Sequence, residues 1–494
     1  MKKSLKILFV ASEAVPFAKT GGLADVSGVL PKALKKLGHE IIVVMPRYYS
    51  IDKSELTELP GALGVPMGPM GELWAGIYSS TLPGSDVPVY FIDYEEFFGR
   101  SGLYADESGV SYDDNDNRFV FLSKAAFQLA KKLDFKPDII HGNDWHTASV
   151  PILKNSRFAH DEHFANSATV LTIHNMQHQG FFFKGIVDVM EIDWEHFNPM
   201  GLESMDGVNM LKGGVAFADA VTTVSKKYAQ ELQTAEFAFG MQDHMWAHRD
   251  KTFGILNGVD YDEWSPSVDP LIPAKFDSDD MRGKGICKND LREHFGLPEW
   301  DVPLIGFVGR FAEQKGIELI AGIIEGVLHL DVQFVFLGTG EKWAEGFFSE
   351  ISARYPDKFA IHVGYDNELA HQIEAGSDLF LMPSLFEPCG LNQIYSLRYG
   401  TLPIVRATGG LDDTIENYDP VHNTGTGFKF EFPTEEALYH TIKWSVDVWH
   451  NDKVSFAEMQ KRAMEARYSW EEAAKGYETV YNWILINREI KQYR

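Results

Sequence analysis

Short, unbroken apolar runs recur along this chain, and each leads into a stretch whose apolar residues fall three and four apart. The first run, residues 7–11, is followed by Leu23, Val26, Val29, Leu30, Ala33, Leu34 and Leu37, the spacing of one helix face. Further runs stand at 41–45, 89–92, 138–141, 169–173 and 220–224, with a helical pattern over 119–133. Unbroken runs, unlike alternating ones, belong to strands covered on both sides. Strands alternating with helices therefore predict a parallel sheet with helices on both faces. The pattern breaks at 256–266, and 267–300 is polar and turn-rich. It restarts with runs at 304–308, 333–337, 359–363, 379–382 and 402–405, then ends in a helical, aromatic-rich segment over 470–493. The expected fold class is α/β, with two doubly wound, Rossmann-like domains. The expected boundaries are 1–255 for the first domain, 256–266 for a linker and 267–475 for the second domain, with a terminal helix at 476–494.

Composition narrows the partners. The 494 residues exceed what one core holds, about 250–300. Lys and Arg number 45 against 71 Asp and Glu, a net charge of −26. Such a surface repels nucleic acid and anionic membrane, so neither is expected as a partner. A neutral sugar polymer is compatible with it, and an anionic ligand needs local cations. A homo-oligomer is left open. Cys287 and Cys389 make no disulfide framework, which points to a reducing, cytoplasmic compartment. The start, Met-Lys-Lys and an apolar run, is superficially like a signal peptide. That run is only as long as one strand, and Glu13 and Lys19 follow it. No stretch reaches the ~18–20 apolar residues of a membrane span.

In open α/β sheets ligands bind outside the carboxyl ends of the strands, so polar motifs just after a run are the candidates. Lys19-Thr20-Gly21-Gly22-Leu23-Ala24-Asp25-Val26 lies where the first run hands over to a helix. Glycine admits a ligand close to the backbone, free helix-start N–H groups favour an anion, and Lys19 adds a mobile cation. Asp144-Trp145-His146 and His174-Asn175 follow two further runs. A carboxylate and an aromatic ring suit a sugar's hydroxyls and its apolar face. Asp144 could equally cap a helix start, and a lone His174 could cap its own loop. Arg310 and Lys315 flank the loop after 304–308, where a guanidinium fork and a point charge can both reach phosphate, or where the two could equally form an ordinary solvated surface pair. Glu387-Pro388-Cys389-Gly390 follows 379–382 and opens a helix over 391–399. Cys389 has no activating base in view and reads as a lining residue. Gly338-Thr339-Gly340 resembles a dinucleotide fingerprint, but Trp343 stands where its third glycine belongs.

These motifs in this order resemble the bacterial glycogen synthase and plant starch synthase family, retaining glucosyltransferases of GT-B architecture, in which two Rossmann-like domains face a central cleft. The matching stretches are KTGGLADV (19–26), HGNDWHTA (141–148), TIHNMQHQG (172–180), KGGVAFADAVTTVS (212–225), GILNGVDYDEWSP (254–266), GFVGRFAEQKG (306–316), FVFLGTGE (334–341), SLFEPCGLNQ (384–393) and RYGTLPIVRATGGLDDT (398–414). Two departures stand out: Leu385 where the family usually has Arg, and 236–243 in place of a glycine-rich form.

The resemblance implies ADP-glucose as donor, an α-1,4-glucan as acceptor, and no cofactor or metal. Arg310 and Lys315 would hold the diphosphate, Gly21 and Gly22 would close on it, and Lys19 and Asp25 would lie nearby. Tyr365 would stack on the base. Glu387, Cys389, Gly390, Leu391 and Asn392 would surround the glucose and distal phosphate, and His174, Asn175, Asp144 and Asn257 would meet the glucose from the other domain. The implied catalytic set is Glu387, His174, Arg310 and Lys315. The terminal helix is expected to pack back on the first domain. Rival readings are a UDP-glucose or other-acceptor transferase, an NAD oxidoreductase and a silent glucan-binding scaffold.

Overall fold

The computed structural model describes residues 4–492; residues 1–3 and 493–494, where the sequence pattern placed the charged start and the end of the last helix, lie outside them. The chain divides into two compact units. The first comprises 1–224, 229–255 and 470–494, and the second 225–228 and 256–469. Residues 256–266, expected as a linker, belong to the second unit, and the return to the first begins at Trp470, ahead of the expected 476.

The strands of the first unit are β1 (Lys6–Val10), β2 (Glu40–Pro46), β3 (Thr57–Glu58), β4 (Leu63–Pro66), β5 (Glu72–Thr81), β6 (Pro88–Asp93), β7 (Ile139–Asn143), β8 (Ala168–Ile173), β9 (Phe181–Phe183), β10 (Glu203–Ser204), β11 (Gly207–Asn209), β12 (Ala220–Thr223) and β13 (Thr252–Gly254). The main sheet runs β13-β12-β8-β7-β1-β2-β6-β5-β3, parallel from β13 to β6 and antiparallel at the β5 edge. Every residue of β7, β8 and β12 is buried, as two covered faces require. Strand order reverses between β1 and β7, the place where such sheets open a ligand crevice at their carboxyl ends. β9, β10 and β11 form a separate small antiparallel sheet that the sequence pattern did not show.

The helix after β1 spans Gly22–Lys36 and continues through Pro31, although proline removes a helix hydrogen bond. Its buried stripe, Leu23, Val26, Leu30, Ala33 and Leu34, keeps it in place by packing. The last helix, Trp470–Gln492, buries Trp470, Ala473, Ala474, Tyr477, Val480, Tyr481 and Ile484 within the first unit. Its Tyr481 hydroxyl meets His141 Nδ1 at 2.8 Å, and Glu478 lies 3.2 Å from His39 Nε2.

The second unit holds β14 (Leu304–Val308), β15 (Gln333–Gly338), β16 (Phe359–Val363), β17 (Leu379–Met382), β18 (Leu402–Arg406) and β19 (Phe428–Phe430). They form one parallel sheet in the order β16-β15-β14-β17-β18-β19. In chain order that is 3-2-1-4-5-6, the nucleotide-binding arrangement, with its switch point between β14 and β17. Cys287 and Cys389 are buried, unpaired thiols. No helix among the described residues is long and apolar enough to cross a membrane.

Candidate active site

In the first unit the loop after β1 is organised by a residue that the motif reading passed over, Glu13. Its Oε2 accepts the N–H groups of Thr20 (2.5 Å) and Gly21 (3.2 Å), and its Oε1 accepts the hydroxyls of Thr20 (2.7 Å) and Tyr104 (2.6 Å). Two backbone N–H groups just ahead of the helix are thus taken by an internal carboxylate. These two amides are therefore not available to an anion, while the helix itself begins one residue later, at Gly22. Gly21 has extended backbone (φ −150°), and a side chain at Gly21 or Gly22 would meet nothing within 4 Å. The packing of the fold therefore does not demand glycine at either position. Lys19 donates to Asp25 at 2.7 Å, and the exposed pair brackets the loop.

Asp144, at the end of β7, adopts φ 54° and ψ −173°, a backbone region that side chains rarely visit and that costs on the order of 1–3 kcal/mol. The short turn that follows it gains no side-chain cap. Instead the carboxylate reaches sideways to β8 and accepts the N–H groups of His174 (2.7 Å) and Asn175 (3.3 Å). The helix-cap alternative therefore fails, and the strain serves to lock the neighbouring loop. Burial lifts the Asp144 carboxyl to about 7 against the pull of those two N–H groups. Asn143 donates its amide nitrogen to Val10 O at 3.1 Å, which turns its Oδ1 to His174 Nε2, 3.0 Å away. His174 then carries its proton on Nε2, keeping Nδ1 as an acceptor. Burial holds this ring neutral, with a pKa lowered to about 3.

In the second unit the loops after β14 and β17 meet at the switch point. Lys315 donates to Glu387 Oε2 at 2.5 Å, and the Ser384 hydroxyl donates to the same oxygen at 3.0 Å. Glu387 is 7% exposed, and its backbone carbonyl accepts the N–H of Gly410 at 3.0 Å. Arg310 is exposed and donates to Gln314 Oε1 at 3.1 Å, while Gln314 donates to Phe386 O at 3.3 Å. The two cations thus flank the Glu387 loop. Asn392 donates to Val308 O at 2.9 Å. Its helix spans Asn392–Arg398, shorter than expected, with Leu391 at its cap and Gly390 at φ 71°. Leu385, the departure from the family pattern, gives its carbonyl to the Arg406 guanidinium. Burial pushes the Cys389 thiol to about 12, which removes it as a nucleophile. Asn257 is buried, and its Oδ1 has no hydrogen-bond partner among the described residues. Tyr365, after β16, is 82% exposed, and its hydroxyl donates to Asn367 Oδ1 at 3.3 Å. The remaining glycine motif has a packing cause: a side chain at Gly338 would lie 2.1 Å from Gly309 O, and one at Gly340 2.2 Å from Phe311 O.

Comparison with known proteins agrees over the whole chain. Residues 6–247 match the starch synthase catalytic domain model, and 290–466 match that of the glycosyl transferases group 1. Glycogen synthase 1 of Geobacter metallireducens is 53% identical, covering 98% of this chain and 97% of its own length. Glycogen synthase of Koribacter versatilis is 45% identical, covering 97% and 98%. Among solved structures, the catalytic domain of starch synthase IV from Arabidopsis thaliana, bound to ADP and acarbose, superposes with a TM-score of 0.88 at 33% identity, covering 98% of this chain and all of that one. Sucrose-phosphate synthase from Thermosynechococcus elongatus, at 17% identity and a TM-score of 0.58, shares the fold. Matched in both halves and along nearly its full length, the chain belongs to the glycogen synthase and starch synthase family, hexosyltransferases of the GT-B fold.

Proposed function

We propose that this chain transfers glucose from ADP-glucose to the non-reducing 4-hydroxyl of an α-1,4-glucan, with retention of configuration. The observation that carries this reading is the Lys315–Glu387 pair at the switch point, with Arg310 beside it. A nucleoside diphosphate departs as an anion, so the main task is to stabilise growing negative charge. Arg310 and Lys315 supply preorganised charge for it, usually the largest catalytic contribution. Glu387, buried and gripped by Lys315 and Ser384, orients the sugar. Asn257 Oδ1 and His174 Nδ1 accept sugar hydroxyls, Asn175 adds a further polar contact, and Tyr365 stacks on the base.

Retention through a covalent intermediate needs a second carboxylate as nucleophile. Asp144 is spent on backbone amides and Glu387 on Lys315, which favours front-face transfer. The acceptor hydroxyl attacks on the side from which the diphosphate leaves. The C1–O bond to phosphate breaks as the new C1–O bond forms, and the departing phosphate takes the hydroxyl proton. With two cations on the diphosphate the scheme calls for no metal.

The test is incubation with glycogen and either ADP-glucose or UDP-glucose in EDTA, following nucleotide release and glucose incorporated. Matched ADP release and incorporation are expected. A UDP preference overturns the donor assignment, loss of activity in EDTA overturns the metal-free scheme, and release without incorporation overturns the acceptor.

A further inference from the structure

Phe181 and Phe183 stand on one face of β9, 54% and 76% exposed, while Phe182 between them turns inward and packs 5.4 Å from Trp145. Across the ladder Phe183 faces Gly207, which has no side chain to cover the ring, and Phe181 faces Asn209. The turn joining β10 to β11 consists of Met205 and Asp206, both left-handed, with φ 52° and 60°. Two-residue turns of this kind select Asn and Gly, yet Met205 sits there 94% exposed. Lys184, next to Phe183, is paired through two hydrogen bonds with Asp206, at 2.7 and 2.9 Å. Three large apolar side chains held in water around a charged pair are not explained by packing of this unit.

We propose that this face of β9, β10 and β11 binds a strand of α-1,4-glucan beyond its reacting end. The inference rests on the reading that a glucan is the acceptor. A glucan strand offers apolar C–H faces edged by hydroxyls. Two phenyl rings two strand residues apart, about 7 Å, present surfaces for the faces. The Lys184–Asp206 pair offers donors and acceptors for the edges. A second copy of the chain fits less well. At about 150–250 Å² per large side chain, three partly covered ones give well under the ~800 Å² per partner of a stable interface. Charge is also depleted from the centre of such interfaces, and a net charge of −26 on each copy opposes pairing. Chain continuity favours the glucan: β9 directly follows the 174–180 loop that carries His174 and Asn175, and Trp145, which supports Phe182, adjoins Asp144.

The test compares the full-length chain with the F181A/F183A and F181W/F183W variants. It uses native electrophoresis through glycogen-containing gel and kinetics on glycogen and on maltotriose. Loss of gel retardation in the alanine variant, a KM for glycogen raised on the order of tenfold, unchanged maltotriose kinetics and recovery with tryptophan are expected. Equal loss on both acceptors would place the phenyls in the reacting site or in folding and overturn the proposal. Unchanged retardation would also overturn it, including the case where the variant only converts a dimer to monomer. Retardation needs no turnover, so a chain that transfers no glucose fails the proposed function while this binding can still be read.

Discussion

Lys315 and Glu387 lie 72 residues apart in the chain, yet the Lys315 ammonium sits 2.5 Å from Glu387 Oε2. Glu387 is nearly fully buried, and Lys315 and the Ser384 hydroxyl both donate to its Oε2. Lys315→Ala should therefore do two things. It should lower kcat by about 10²–10³ through the lost charge at the leaving group. It should also lower stability by roughly 1–3 kcal/mol, less than for a fully enclosed pair because Lys315 keeps some solvent contact. Glu387→Gln should cut kcat far more than it raises the donor KM. Steady-state kinetics with urea melts check both, and near-normal turnover of Glu387→Gln would dismiss its role.

Arg310 is exposed, and among the described residues its guanidinium donates to Gln314. Arg310→Ala should match the rate loss of Lys315→Ala while leaving Tm within about 1 °C, because a surface contact of this kind adds little stability. Unchanged kcat/KM for the donor would remove Arg310 from the diphosphate.

Glu13 ties together Thr20, Gly21 and Tyr104. Hydrogen bonds to a charged acceptor are worth about 1.5–3 kcal/mol each, so Glu13→Ala should loosen the glycine loop and raise the donor KM at least about tenfold. Glu13→Gln, which keeps one acceptor oxygen, should fall between. Gly21→Ala should leave Tm unchanged, since nothing in the protein meets the new methyl group. Its kcat/KM should nevertheless fall. A Gly21→Ala enzyme with normal kinetics would rule out close approach of the donor to this backbone.

Acid should destabilise the first unit. Burial lowers His141 and His174 to about 3 from an ordinary 6.5. In both cases the unfolded chain binds the proton first, so stability is full above pH 6.5 and is lost as pH falls towards 3. Each contributes about 1.4 kcal/mol per pH unit. Asp144, raised to about 7, has the opposite sign: its native state holds a proton that the unfolded chain releases above 3.8, which offsets one histidine. His146, His244 and His248 are also lowered by burial and add to the loss. The net should be a loss of about 2 kcal/mol or more from pH 6.5 to 5. Urea midpoints at pH 7 and pH 5 check it, and an equal or higher midpoint at pH 5 would contradict it.

Local pattern was enough for the two sheets. The strands at 304–308 and 379–382 appear with the limits their apolar runs predicted, because a strand covered on both faces must be apolar along its whole length, and the edge strand 359–363 does so too although His362 and Val363 are exposed. The helix after β1 was likewise visible in its three-and-four spacing, although only packing carries it through Pro31. Motifs at strand ends named Arg310, Lys315, Glu387, Asp144 and His174, since topology places such ends around one crevice in each sheet. Tertiary structure decided which of these groups touch. Glu13 and Tyr104 meet across 91 residues and Asn143 and His174 across 31, and no periodicity encodes such pairs. The small β9–β11 sheet escaped notice because its strands have two or three residues and its turn is Met-Asp rather than Asn-Gly. Burial also set the charge states of Asp144 and His174, because the cost of charging a side chain depends on what surrounds it in space and not on its neighbours in sequence.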